Sequence, residues 1–399
     1  MLLTVSKRLE FSASRRLFFS RWSDEENVAA FGEESRAKYG TGRNYVAYFI
    51  FSGRVDPVTG MLINISEIKR RAGDVVDDKF DHKFLNDDNV SFRDLPPTAE
   101  NVARQLFNDV APLFADVDAK LVAVHLIETP DRSATYYADG ACDANYWFEF
   151  SAARQTMSPR LTAAENERLF GKAAGVHGHN YRARLTFRKQ IADRPIVQQQ
   201  DVDLCIDALR KELDHQNLNE VDSLKDRPIT TESLAIYLRE RAAALSVHRV
   251  RLHEREDFFA EVWPEGAVFL GIQMRFSAAH RLHVPSFSDE KNQELFGKCD
   301  NPRGHGHLYL AEATIGGNYD ERTGTLYDFV ALQNAIRESI EPWKDRHLDL
   351  ETEDFQKLSS TGENIVRALW PKIDNRVNHQ LARLRLWETK NNRFTLRRT

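Results

Sequence analysis

The sequence predicts an α+β protein built from three tandem copies of one unit, because the same short motifs return three times in the same order. FSAS at Phe11 returns as FSAA at Phe150 and at Phe276. The motifs that follow it, copy by copy, are AFG, LFGK and LFGK; DHKFLN, DHQNLN and a degraded WKDRHLDL; TAEN, TTES and TGEN; and a late glutamate in HLIET, RLHER and RLWET. We expect the units to span residues 1–135, 136–265 and 266–399.

Within each unit we expect two strands, then helices, then two strands. NYRARLTF and LYLAEATI are rich in β-branched and aromatic residues in partial alternation, which predicts strands. DVDLCIDALRKELD and TGENIVRALWPKI carry apolar residues at helical spacing, the second after a Thr/Glu start that resembles a capping box. VRLHE and LRLWE are predicted to be closing strands.

Such a unit is a small antiparallel sheet with its helices on one face. A four-stranded sheet of this kind leaves two edge strands with unpaired backbone groups. Three covalently joined copies remove that problem if each sheet edge pairs with the edge of the next unit. The repeat therefore favours pairing of the sheet edges between the three units of one chain.

The composition is that of a globular protein, with 42% hydrophobic and 29% charged residues among 399. The formal net charge is −5 and there is no basic tract, so we expect no nucleic-acid partner. No apolar run has the length of a bilayer span, so we expect no membrane partner. Three widely spaced cysteines argue against a disulfide framework and favour the reducing cytoplasm.

Three histidines of the third unit form a candidate metal site. His305 and His307 are separated by one residue at the start of a predicted strand, so both imidazoles can point to the same face. His280 closes FSAAH on the preceding strand. Three imidazoles with an open fourth position are typical of a catalytic zinc site. The alternative is an ordinary pair of loop histidines, since the HxH pattern alone is weak.

Cys299 and Glu388 are the other candidates in the third unit. Cys299 lies in the polar, turn-rich segment GKCDNPRG shortly before His305. A cation nearby would favour its thiolate, which suits a general base or nucleophile; the alternative is a small buried apolar residue. If Glu388 faces a pocket, it could accept two N–H donors from a planar heterocycle; the alternative is a solvent-exposed strand residue.

An Asp-His pair occurs at the same repeat position in the first two units, as Asp81–His82 and Asp214–His215. A single pair of this kind would be interpreted as charges at the end of a helix. Its recurrence with the same Leu-Asn tail favours an acid–base relay, in which the carboxylate tunes the imidazole.

The motifs of all three units resemble those of the 6-pyruvoyl-tetrahydropterin synthase family, which has the tunnelling fold (T-fold). The resemblance is tightest in FSAAHRLH, SDEKNQELFGKCDNPRGHGHLY, STGEN and WET of the third unit. It implies that the chain forms a pseudo-trimeric β-barrel, because family members are trimers whose sheets close into a barrel. Two such trimers stack in the family, so we expect a homodimer of fused pseudo-trimers.

The resemblance also implies roles for the candidate residues. His280, His305 and His307 match the family's zinc ligands, Cys299 its catalytic cysteine and Glu388 the acid that anchors the pterin ring. An Asp-His pair completes the proton relay. Family members eliminate triphosphate from 7,8-dihydroneopterin triphosphate, so the implied activity is a zinc-dependent phosphorus-oxygen lyase acting on that small molecule.

No unit carries a complete set of these residues. The histidine positions hold Arg15, Thr41 and Arg43 in unit one, and Arg154, His177 and His179 in unit two. The cysteine position holds Glu34 and Ala173, and the Asp-His position of unit three holds Lys344 and Asp345. We therefore expect units one and two to lack a catalytic metal and the chain to have one active site.

That single site would be composite, with unit three supplying metal and thiol and a sister unit lending the Asp-His pair. We favour Asp214–His215 over Asp81–His82 as the donor. Two other functions stay open: a carboxy-tetrahydropterin synthase or other side-chain chemistry on the same pterin, and a non-catalytic pterin-binding scaffold. The five residues between Cys299 and His305 match the pyruvoyl enzymes, whereas the carboxy enzymes usually have a shorter gap.

Overall fold

The computed structural model describes residues 1–190 and 195–399, and in these residues twelve long antiparallel strands close into a barrel. Each unit contributes four of them. They are β1 (Leu2–Arg15), β2 (Thr41–Ser52), β4 (Lys120–Thr129) and β5 (Arg132–Tyr137); β6 (Ala141–Arg154), β7 (His177–Gln190), β9 (Arg249–Arg255) and β10 (Phe258–Val262); and β11 (Val268–His280), β12 (His305–Gly316), β14 (Leu381–Thr389) and β15 (Asn392–Arg397). Three two-residue strands, β3 (Lys83–Phe84), β8 (Gln216–Asn217) and β13 (Arg346–His347), pair in parallel with the first strand of their unit.

The edges of the three sheets pair with one another, as the repeat predicts. β5 pairs with β6 and β10 pairs with β11, which joins unit one to unit two and unit two to unit three. β15 pairs with β1, from Leu2 opposite Arg397 to Lys7 opposite Asn392. Because every long strand then has two neighbours, no edge is left to template aggregation. The predicted α+β class and pseudo-trimeric barrel are confirmed.

The helices cover the outer face of the barrel. They are α1 (Asp24–Phe31), α2 (Ile65–Lys79), α3 (Leu85–Asp88) and α4 (Ala99–Val110); α5 (Ala163–Phe170), α6 (Gln199–Leu213) and α7 (Thr231–Arg241); and α8 (Asp289–Phe296), α9 (Phe329–Ile340), α10 (Leu348–Glu351) and α11 (Gly362–Arg376). Ile68, Ala72 and Val76 recur every four residues along α2, which gives it one apolar stripe, and all three are buried in the core. No helix among the described residues is both long and apolar enough to cross a bilayer.

The opposite face of each strand points into the barrel and is polar. Leu384 and Leu386 of β14 are fully buried on the helix side, so their neighbours Arg383 and Arg385 face inward. Arg385 Nη1 lies 2.8 Å from Glu312 Oε1, and Arg383 Nη1 lies 3.3 Å from Glu261 Oε2 of unit two. Ion pairs inside the barrel thus connect adjacent units.

The start of α11 holds unit three against unit one. Thr361 caps the helix by accepting a hydrogen bond from the Asn364 amide, and its own hydroxyl donates to the Gly60 carbonyl of unit one at 2.7 Å. Glu363 accepts a hydrogen bond from the Leu62 amide at 2.9 Å. Gly60 has φ +74 and packs against the Asn364 side chain, so a Cβ would clash there.

The same contacts join unit two to unit three at the start of α7. Thr230 donates to the Gly324 carbonyl at 2.5 Å, and Glu232 accepts from the Leu326 amide at 3.1 Å. Among the described residues, the TTES and TGEN motifs therefore join unit two to unit three and unit three to unit one. These contacts fix the position of the clefts between units.

Candidate metal and catalytic site

The three histidines of unit three converge at one end of the barrel. In the β11–β12 register, His280 is opposite His305 and Ala278 is opposite His307, so the two-residue period of β12 turns both of its histidines to one face. The Nε2 atoms of His280 and His305 are 3.1 Å apart. One nitrogen from each of the three residues lies within 4.8 Å of the others, which is a group that could hold a metal ion.

The state of these imidazoles fits a metal. His280 is fully buried, and its Nδ1 lies 2.9 Å from the Ser360 carbonyl, a contact that puts the proton on Nδ1 and leaves the Nε2 lone pair free. His305 Nδ1 and His307 Nε2 are buried without a hydrogen-bond partner. Burial and the two neighbouring imidazoles lower the pKa of His305 to about 4, which keeps it in the neutral form that ligates metals.

Glu388 of β14 lies beside the histidines. Its Oε1 is 3.7 Å from His280 Nε2 and 3.8 Å from His307 Nε2, and its Oε2 accepts a hydrogen bond from Asn392 at 2.9 Å. A carboxylate at this distance can take part in a proton relay or stabilise a cation held by the imidazoles. Its predicted contact with a pterin ring stays a prediction.

Cys299 lies in a short helical turn over residues 297–300, after α8, and is a partly buried free thiol. Its carbonyl accepts a hydrogen bond from the Leu282 amide at 2.9 Å, which ties this turn to the segment that follows His280. Burial raises the pKa of the thiol, and the charge of Glu388 raises it further. The protein alone therefore favours the neutral thiol, and a cation nearby is needed to make it a base.

The two Asp-His pairs have one geometry. Asp81 accepts from the Ser12 amide at 2.8 Å and lies 2.7 Å from His82 Nδ1. Asp214 accepts from the Ser151 amide at 2.8 Å and lies 2.9 Å from His215 Nδ1. The contact holds each proton on Nδ1 and leaves Nε2 free for exchange. The His82 and His215 side chains are 83% and 82% exposed.

Asp345 of unit three takes the place of these histidines. Like them it has a left-handed backbone, with φ 57 against 56 for His82 and 57 for His215. Its amide donates to the Ser277 carbonyl as the His82 amide donates to Ser12. In residues 1–190 and 195–399, no hydrogen bond, ion pair or ring contact joins His82 or His215 to unit three. Within one chain, both imidazoles thus face solvent and not the histidine cluster.

Unit one carries an ion-pair network where unit three has its histidines. Arg15 is opposite Thr41 as His280 is opposite His305, and its guanidinium is fully buried. Its Nε donates to Glu128 at 2.8 Å, and Nη1 donates to Thr41 at 2.8 Å and to Glu34 at 3.1 Å. Arg43 also pairs with Glu34. A fixed cation and two carboxylates thus occupy the positions of the metal ligands, the thiol and the late glutamate.

Unit two is intermediate between the other two. Arg154 is opposite His177, and its Nη2 donates to Glu254 at 2.5 Å. His179 Nε2 lies 3.1 Å from the other oxygen of Glu254. His177, His179 and Glu254 also bring ligand atoms within 4.8 Å of one another, so the expected absence of metal in unit two stays a prediction.

Glu363 is a candidate residue that the sequence interpretation missed. It is buried at the cleft between units three and one, and burial raises its pKa to about 7. The sequence carried a signal for it, since TAEN, TTES and TGEN place a glutamate at one position of every copy. The repeat alone does not reveal this contact, because the partner Leu62 lies in a distant part of the chain.

Comparisons with known proteins agree with this geometry. A family model described as 6-pyruvoyl tetrahydropterin synthase matches residues 4–139, 145–265 and 270–399. The chain is 37% identical over 122 residues to 6-pyruvoyl tetrahydrobiopterin synthase of Pongo abelii, covering 30% of this chain and 84% of the relative. It is 36% identical over 122 residues to the Homo sapiens protein of the same name, with the same coverage.

A more distant relative and a solved structure complete the comparison. The 6-carboxy-5,6,7,8-tetrahydropterin synthase of Rickettsia bellii is 25% identical over 146 residues, covering 33% of this chain and 96% of the relative. The structure of Caenorhabditis elegans 6-pyruvoyl tetrahydropterin synthase is 33% identical and covers 33% of this chain and 96% of its own, with a TM-score of 0.32. The family match over all three units confirms the resemblance expected from the motifs: the chain belongs to the 6-pyruvoyl tetrahydropterin synthase family.

Proposed function

We propose that the chain is a zinc-dependent lyase that eliminates triphosphate from 7,8-dihydroneopterin triphosphate at one site in unit three. The observation that carries this proposal is the convergence of His280, His305 and His307 beside Glu388, on a barrel end where Cys299 supplies a thiol. At the equivalent positions, unit one has no histidine, unit two has Arg154 in place of the first histidine, and neither unit has the cysteine. The family membership supports the pterin substrate class.

The three imidazoles would hold zinc, which supplies Lewis-acid polarisation of the substrate's side-chain hydroxyls and makes the adjacent C–H acidic. Cys299 then removes that proton as its thiolate. The electron pair left on carbon forms a double bond as the C–O bond to triphosphate breaks, and the leaving group departs with the bonding electrons. The resulting enol ketonises, and a further internal proton shift oxidises the second hydroxyl-bearing carbon while it reduces the dihydropterin ring, so no external oxidant is needed. Glu388 would anchor the pterin ring by accepting its N–H donors, and the buried Glu363 would be a second acceptor for them.

The test of this function is product analysis. Purified protein with zinc is incubated with 7,8-dihydroneopterin triphosphate, with and without a reductant, and the pterins and released triphosphate are separated by chromatography. We expect triphosphate and a pyruvoyl pterin, and a loss of roughly 10²–10⁴-fold in kcat for Cys299→Ala, the range typical of acid–base residues. A Cys299→Ala variant that turns over like the wild type would contradict the role of the thiol.

We also infer that the relay histidine comes from a second copy of the chain in a face-to-face homodimer. Both Asp-His imidazoles are more than four-fifths exposed and have no partner in unit three among the described residues. In each pair the aspartate holds the imidazole through Nδ1, and Nε2 faces solvent. Nε2 can therefore contact a site on the surface of another molecule. Asp214–His215 remains our favoured donor over Asp81–His82.

Subunit complementation tests this inference. We expect His215→Ala to lower turnover and His82→Ala to leave it near the wild-type value. Mixing inactive Cys299→Ala chains with inactive His215→Ala chains then restores part of the activity, because a mixed dimer contains one intact composite site. No restoration after exchange of subunits would place the relay within one chain, and a larger loss for His82→Ala would reverse the choice of donor.

Two alternatives have different experimental signatures. The carboxy-pterin reaction would give a carboxy-pterin in the product analysis, and the 25% identical Rickettsia bellii relative keeps it open. A non-catalytic pterin-binding scaffold would bind the substrate without turnover, and the loss of ligands in units one and two motivates it. One zinc per chain with turnover supports the lyase, whereas no zinc and no turnover supports the scaffold. Three free cysteines fit the reducing cytoplasm as its location.

A further inference from the structure

Unit two retains an open cavity where it meets unit three. Its volume is about 270 Å³, near the lower end of small-molecule sites, which begin at roughly 300 Å³. Its wall combines Arg154, Glu232 and Glu254 of unit two with the aromatic rings of Phe258, Tyr327 and Phe329. The matching cavity beside Glu128, between units one and two, has a volume of only about 40 Å³. The cavity of unit two is thus the larger of the two.

Arg154 is an incompletely satisfied cation in the wall of this cavity. Its side chain is 4% exposed, and only Nη2 is bonded, to Glu254. Nε and Nη1 are buried and make no hydrogen bond within the described part of the chain. Buried guanidinium N–H groups without acceptors are costly. In unit one, by contrast, all three nitrogens of Arg15 are bonded.

The rest of the wall suits a flat ring with N–H groups on one edge. Glu232 is buried, uses one oxygen for the Leu326 amide and has further acceptor capacity toward the cavity that it lines. Phe258 and Phe329 pack edge to face at 4.7 Å and supply an apolar aromatic surface. The cavity therefore offers acceptors, an aromatic face and a cation with free donors.

We propose that the unit-two cavity is a second, metal-independent binding site for a planar nitrogen heterocycle that carries a carbonyl or carboxylate substituent. The N–H groups of the ring donate hydrogen bonds to the Glu232 carboxylate. The oxygen of the substituent accepts hydrogen bonds from the unpaired N–H groups of Arg154. Arg154 supplies the positive charge that unit three would take from a metal. Without a thiol at Ala173, the site binds its ligand and does not transform it. The choice of a pterin as the heterocycle rests on the proposed function, while the site itself rests on the cavity and on Arg154.

The probe is pterin-6-carboxylate, a fluorescent pterin, titrated into the full chain in the presence of a chelator and again with zinc. We expect two sites per chain in the wild type with zinc. Ala173→Phe fills the unit-two cavity and should remove one site while leaving zinc content and turnover unchanged. The matched variant Cys299→Phe fills the equivalent position of unit three, and the site that remains should survive the chelator. Ala174→Phe, whose side chain does not line the cavity, should retain both sites.

Arg154→Gln provides a second test if Ala173→Phe fails to fold. It should weaken the unit-two site roughly 10–100-fold for pterin-6-carboxylate, the range expected for lost bonds to a charged group, and much less for unsubstituted pterin. A single ligand per wild-type chain that remains bound in Ala173→Phe, two ligands in Ala173→Phe, or two zinc ions per wild-type chain would each overturn the proposal. Absence of turnover in the wild type would instead count against the proposed function and leave this binding result intact.

Discussion

Unit one and unit three have the same strand register at the barrel end but place different polar groups there. In unit three, three imidazoles bring ligand nitrogens within 4.8 Å of one another beside Glu388, an arrangement that could hold a metal ion. In unit one, the cation is the Arg15 guanidinium, bonded to Glu128 at the matching position. The register of the two hairpins is the same, Arg15 opposite Thr41 and His280 opposite His305. Replacement of the histidine cluster by an arginine network thus leaves the local fold unchanged, and under the proposed function it removes the chemistry.

The largest effect is expected from a variant that removes a candidate metal ligand of unit three. His305→Ala removes one of three ligands, so we expect zinc to fall from one per chain to none and turnover to fall by more than the ~10–100-fold that loss of an outer-shell partner costs. Metal analysis and steady-state kinetics measure both. The matched control is His177→Ala in unit two, which should change neither; an equal loss there would mean that the two clusters act together.

Arg15→Ala disrupts the ion-pair network of unit one. This change removes both hydrogen bonds that Arg15 makes to Glu128, a 5% exposed carboxylate, and leaves it, among the described residues, only the longer ion pair with Arg43 at 3.9 Å. We expect the free energy of unfolding to fall by about 3–5 kcal/mol, with zinc content unchanged. Urea titration measures the loss. Arg70→Ala, which removes an exposed pair with Glu67, is the control and should cost at most about 1 kcal/mol.

In unit two, a single substitution could restore the three-histidine cluster that unit three has. His177 and His179 are already present there, and Arg154 occupies the position of the missing third ligand. Arg154→His should therefore raise the zinc content from one to two per chain, measured by metal analysis after dialysis. Arg15→His is the control, since Thr41 and Arg43 leave unit one without the other two imidazoles. A chain that still binds one zinc after Arg154→His would show that the backbone of unit two has diverged as well.

The smallest expected effect is a pH dependence of the metal-free protein. The folded-state pKa of His305 is about 4, below the ordinary value of 6.5, because burial and neighbouring imidazoles oppose its charge. The unfolded chain therefore takes up this proton first, so its contribution to stability is intact above pH 6.5 and is lost as the pH falls toward 4. Urea titrations of the wild type and His305→Asn should differ in their dependence on pH across this window. Parallel pH profiles would contradict the pKa shift.

The sequence predicted the features that are encoded locally or by repetition. The tandem motifs led to the barrel, and the one-residue spacing of His305 and His307 led to a common face, since strand side chains alternate. The composition did not reveal that Arg15, Glu34 and Glu128 bond to one another, because that network joins segments that only the folded sheet brings together. The role of TGEN at the junction was missed for the same reason.

The expected sharing of an Asp-His pair between units of one chain depends on the direction in which the histidine side chains point. Motif spacing shows that His82 and His215 recur at one repeat position, but it does not show which way they face. The left-handed backbone at both residues turns the imidazole outward from its own sheet. This orientation is a property of the folded turn. It is the reason why we propose that a second chain supplies the relay histidine.

The pairing of β15 with β1 has a consequence for assembly. A ring of three separate chains closes by mass action and opens on dilution, whereas here all three junctions form within one molecule. The first two junctions join strands that are close in sequence, Tyr137 to Ala141 and Val262 to Val268, so tethering gives them a high effective concentration. The third brings Leu2 to Arg397 and has the longest loop to close. That seam is where the ring is expected to open first, at a rate that does not depend on protein concentration.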